Sequence, residues 1–146
     1  MRKTLSLVIL AAAVPGLAMA ACPDGEARFL RCDIAGGGKE LLLCRSETQV
    51  TYRFGPKGGV PELALSTTVG EGAEIVPWPG IGRTIWEAVR LRNGNVVYEV
   101  YAGFDRFDAA DPEKPDSRFG GVVVLTDDAG EIAHLKCRAG AVDYSY

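Results

Sequence analysis

Four cysteines, one histidine and 19 acidic residues are the side chains from which this chain would have to build chemistry. Cys22, Cys32, Cys44 and Cys137 contain no close pair of the Cys-x-x-Cys kind, and His134 adds one ligand at most, so a zinc site is not expected. An even count in a small chain points to two disulfides instead. Nucleophilic catalysis needs a base beside the nucleophile, most often histidine. His134 alternates with Ala133 and Leu135 in a β-type run, which makes it an outward surface residue beside Lys136. No Gly-x-Ser-x-Gly elbow and no Gly-rich phosphate loop is present. Glu87 falls on an apolar strand face, where pairing with an Arg accounts for it better than half of a glycosidase carboxylate pair. Asp105, Asp108 and Asp111 recur every third residue, without the Gly and Glu that a calcium loop requires. Arg106, Lys114 and Arg118 dilute their charge, so a solvated loop is expected there. The expectation is a protein without catalysis, metal or cofactor.

An aromatic set is left over. Trp86 and Tyr101 are expected to face each other across two strands, flanked by Arg90 and Glu99. Phe104 and Phe107 follow in a loop, and Trp78 lies in a Pro-bounded turn. Exposed Trp, Tyr and Arg together have the composition of an interaction hot spot. The competing account is that aromatic cross-strand pairs simply stabilise sheets. The loop aromatics lie outside any strand pattern, which favours binding.

These residues must be positioned by a small exported domain. Arg2 and Lys3, the apolar run through residues 7–14 and Ala18-Met19-Ala20 read as a signal peptide over residues 1–20, leaving one domain over 21–146. Met19-Ala20-Ala21-Cys22 also has the look of a lipoprotein cleavage box, but lipidating Cys22 would strand one of the other thiols. The preferred reading is an unlipidated periplasmic or secreted protein with no membrane span. Losing Arg2 and Lys3 takes the formal charge down by two, from −3 to −5, which argues against nucleic acid as a partner.

Nine β-type runs are expected, at residues 27–32, 39–45, 49–54, 62–67, 74–76, 84–92, 95–102, 121–126 and 131–137. They are broken by Gly36-Gly37-Gly38, Gly55-Pro56-Lys57-Gly58-Gly59 and Pro77-Trp78-Pro79-Gly80. The fold class is all-β, a small antiparallel sandwich or barrel built from hairpins with two disulfides. Asn93-Gly94 is expected to be a two-residue loop pairing Arg92 with Asn95, hence Leu91 with Val96 and Trp86 with Tyr101. A further turn is expected at Asp128-Ala129, and residues 103–118 as a long irregular loop. A loop centred near Gly36 would pair Arg31 with Glu40 and send Cys32 and Cys44 to opposite faces. A Cys32–Cys44 bridge is then disfavoured, and Cys22–Cys44 with Cys32–Cys137 is the expected pairing.

Leu43-Cys44, Tyr52-Arg53-Phe54-Gly55, Pro61-Glu62-Leu63, Tyr98-Glu99-Val100-Tyr101 and Leu135-Lys136-Cys137 resemble a group of small, uncharacterised exported proteobacterial proteins. The resemblance covers most of residues 21–146 and implies export, β structure and paired cysteines. It carries no catalytic or binding residue with it. Small periplasmic lysozyme inhibitors are also disulfide-bearing β domains of this size, a likeness of architecture alone. The functional expectation is a non-catalytic envelope domain that binds a protein or glycan. The alternative is an inhibitor or immunity protein against an envelope hydrolase such as lysozyme.

Overall fold

The computed structural model describes residues 21–146, so the segment read as a signal peptide lies outside it. The strands are β1 (Ala27–Ile34), β2 (Lys39–Arg45), β3 (Gln49–Pro56), β4 (Leu63–Thr68) and β5 (Ala73–Val76). They continue as β6 (Thr84–Asn93), β7 (Val96–Asp105), β8 (Phe119–Thr126) and β9 (Gly130–Tyr144), with one helical turn, α1 (Arg106–Ala109), after β7. Each strand lies beside its sequence neighbour, in the order β4-β3-β2-β1-β9-β8-β7-β6-β5. Pairing of β1 with β9 turns this meander into a nearly closed barrel. The remaining opening lies between β4 and β5, whose connection holds one isolated bridge, Val69 with Ala73.

Alternation fills the barrel. Leu30, Cys32, Leu41, Leu43, Val50, Tyr52, Val89, Leu91, Val100 and Val122 point inward and are buried. Tyr52 meets Tyr98 there at a ring separation of 5.8 Å, and burial raises the Tyr52 phenol well above its usual range. The register of β1 against β2 shifts at Phe29, which buries the consecutive residues Phe29 and Leu30 together.

Both expected disulfides are present, Cys22–Cys44 and Cys32–Cys137, each with 5.6 Å between Cα atoms. Cys32 and Cys44 do face opposite ways, but the register behind that expectation is off by two residues. Arg31 pairs with Leu42, and Glu40 pairs with Asp33. The turn is centred one residue later than expected, and a two-residue shift keeps every side chain on its face.

The same correction applies to β6 and β7. Asn93 pairs with Val96, so Gly94 and Asn95 form the loop. Gly94 takes φ +63°, while among the described residues none other than glycine has positive φ. A turn with its glycine first needs positive φ only there, whereas an Asn93-Gly94 loop would have required it of Asn93. Trp86 therefore faces Gly103, and Tyr101 faces Ala88. Residues 103–118 are also more ordered than expected. β7 continues to Asp105, whose carboxylate caps α1 by accepting from the Phe107 and Asp108 N–H groups. The last turn spans Asp127-Asp128-Ala129, and the register shifts between Val124 and Leu125.

Candidate binding face

The outer surfaces of β6, β7, β8 and β9 form three successive cross-strand rows. The first holds Trp86, Gly103 and Phe119. The second holds Ala88, Tyr101, Gly121 and Lys136, and the third holds Arg90, Glu99, Val123 and His134. Tyr101 lies across the bare backbone of β8. A methyl group added at Gly121 would stand 2.8 Å from the Tyr101 hydroxyl oxygen. That absence of a side chain lets the phenol reach β9, where Tyr101 Oη and His134 Nε2 share a 2.7 Å hydrogen bond. The rings meet edge-on, and Phe119 lies 6.3 Å from Tyr101 on the other side. Partial burial raises the Tyr101 phenol above its ordinary value.

Arg90 donates to Glu99 across the strand pair at 2.6 Å and to Glu74 on β5 at 3.4 Å. The Glu99 hydrogen bond first, and Glu74 with it, hold its guanidinium more firmly protonated than usual. Arg90 also borders a groove of about 550 Å³ along the β4–β5 connection, with Glu71, Glu74, Arg92 and Val97.

The expected aromatic set is thus partly assembled. Trp86, Arg90, Glu99 and Tyr101 share one outer face, without the direct Trp86–Tyr101 pairing. Phe104 does not belong to it. It lies in β7 rather than a loop, packs against the core, and meets the Tyr144 ring at 6.3 Å. Phe107 is exposed on α1, with the guanidinium groups of Arg83 and Arg106 over its ring at 5.4 and 4.9 Å. Phe119 was not in the expected set. Its signal was the run Phe119-Gly120-Gly121-Val122-Val123-Val124-Leu125, in which every other residue must point outward.

The acids once weighed for chemistry are engaged elsewhere. Glu87 closes one end of the barrel, accepting from Arg45 of β2 at 3.1 and 3.3 Å and from the Tyr144 hydroxyl at 3.1 Å. Arg45 also stacks over the Phe29 ring at 4.9 Å. Burial first, then the Glu87 carboxylate, push the Tyr144 phenol far above its normal range. Asp105 and Asp108 both bind Arg83, whose hydrogen bond lowers the Asp105 carboxyl, and Asp111 accepts from the Glu113 N–H. Among the described residues no group of three or more His, Cys, Asp or Glu side chains is placed to hold a metal ion.

In comparisons with protein-family models, curated proteins and solved structures, nothing matches the chain.

Proposed function

We propose that the chain is a non-catalytic binding domain of the cell envelope, presenting the outer face of β6 to β9 to a protein or glycan. The observation that supports this most is the set Trp86, Tyr101 and Phe119 on the outside of the barrel, beside the Arg90–Glu99 pair. Aromatic side chains with an Arg at a rigid surface supply large contact area at low entropic cost. Two disulfides fit an oxidising compartment, and among the described residues no helix is long and apolar enough to cross a membrane. Binding of the disulfide-intact domain to peptidoglycan fragments, and separately to envelope proteins, tests the reading. Trp86→Ala and Tyr101→Ala should each weaken the bound ligand about tenfold or more, as hot-spot truncations do. Unchanged affinity for both variants, with unfolding midpoints intact, would sink it.

A second reading, inhibition of an envelope hydrolase, draws on the acidic balance of the exported chain, which complements a basic target such as lysozyme. Residual lysozyme activity in the presence of excess domain separates the two.

A further inference from the structure

We infer that β8 and β9 carry a self-complementary surface by which two copies of this chain dock face to face, with their β9 strands antiparallel. The outward residues of β8 are Phe119, Gly121, Val123 and Leu125, an apolar file on a side where a barrel ordinarily faces water. Phe119 is 38% exposed and Val123 and Leu125 are half-buried. Val97 of β7 extends the file, as does Ile132, the extra residue of the β9 bulge, at 56% exposure.

The edge of this file identifies the occupant. Along β9, Glu131 stands beside Leu125, His134 beside Val123 and Lys136 beside Gly121. The acid and the base therefore lie on either side of the Val123–His134 row, and neither has an ion-pair partner among the described residues. A two-fold axis lying in the interface and crossing the strands at that row sets each Lys136 against Glu131 of the other copy. It also sets Leu125 of one copy over Gly121 and the Tyr101 ring of the other. A patch that is its own charge complement under a two-fold rotation is what an isologous interface requires. The curvature of the barrel carries β6 away from a contact centred on β8 and β9. Trp86 and Arg90 then remain open on both copies, while the Tyr101 ring is covered, so docking of a second copy competes with any ligand that uses Tyr101.

Sedimentation equilibrium of the disulfide-intact protein tests this without any ligand. The mass should rise toward that of a dimer between about 1 and 200 µM, by mass action. Lys136→Glu and Glu131→Lys should each weaken the association about tenfold or more, since each sets like charges opposite. The double variant K136E/E131K should recover to within about threefold of the parent, because the pairing is restored with its sign reversed. His134→Cys should cross-link two chains when oxidised, seen on a non-reducing gel. A parent that stays monomeric to the top of that range overturns the inference. A double variant as weak as its singles overturns it too. Both outcomes are independent of whether Trp86 or Tyr101 binds anything.

Discussion

Strands β2 and β8 each carry a run of four apolar residues and so present apolar side chains on both faces, Leu41-Leu42-Leu43-Cys44 in one and Val122-Val123-Val124-Leu125 in the other. Their inner faces are treated alike and their outer faces are not. Over β2 the chain supplies its own cover. Residues 21–26 cross its outer side, fixed by the Cys22–Cys44 bond, by Arg53 donating to the Ala21 carbonyl, and by Thr51 donating to Glu26. Leu42 beneath is 2% exposed. Farther along the same face, Glu40 is buried and takes Arg31 and the Gly58 N–H. Among the described residues no segment lies over β8, and Val123 and Leu125 stay half-exposed. An apolar residue on the outside of a barrel thus belongs to stability where the chain folds back over it, and where it does not the residue is left available to a partner.

Removing the cover should produce the largest effect. Cys22→Ala with Cys44→Ala opens a link of sequence separation 22, so unfolding in denaturant should show a loss of about 3 kcal/mol. No comparable loss should follow truncation of Val123 or Leu125 on the outer face of β8.

Truncating one side chain on each strand is the sharper contrast. Leu42→Ala should cost about 2–3 kcal/mol, the lower part of the range for a buried leucine. Val123→Ala, measured on dilute protein, should cost under about 1 kcal/mol. Equal losses would mean that β8 is covered after all.

A smaller effect is expected at the second tether. Thr51→Val removes the donor to Glu26, whose other carboxylate oxygen is already buried without a partner. A loss of about 1–2 kcal/mol should follow, together with faster amide exchange at residues 21–26.

The smallest concerns acid. The Lys57 hydrogen bond, and then Arg138, hold the Asp33 carboxyl below the ordinary carboxylate range. The unfolded chain takes up that proton more readily, so this stabilisation is complete above about pH 4 and fades as pH falls through the lower folded value. Exchange should quicken first at β1 and the following turn, while β8 amides stay protected. Simultaneous loosening would show that Asp33 does not hold this side in particular.

All nine strands were legible because alternation and glycine-rich turns act locally, within a few residues. The cysteine pairing was legible too, since it depended on which face a side chain takes and not on which residue stands opposite. Register was not. In both early hairpins the expected pairing slipped by two, because the choice between Asn93-Gly94 and Gly94-Asn95 rests on the φ of one residue. That slip misplaced Tyr101 opposite Trp86. It also hid the site's central feature, the phenol lying over Gly121 toward His134, which depends on three strands at once. Phe104 was misassigned for a different reason: β7 runs on to Asp105, and its alternation turns Phe104 inward.

The closure of β1 onto β9 has a mechanical consequence. The N-terminal end of β1 and the C-terminal end of β9 lie side by side, with Leu30 paired to Tyr144. Tension applied to those ends would unzip this pair of strands, normally the weakest way to load a sheet, because bonds break one after another. Here the tear stops almost at once. The Cys32–Cys137 bond carries the load directly between the terminal segments, and Cys22–Cys44 adds a second, parallel route to Cys32 on one side. Residues 45–136 lie outside the loaded path, so a tethered molecule would yield a short extension and then behave as a stiff link, its outer face of β6 to β8 undistorted under pull.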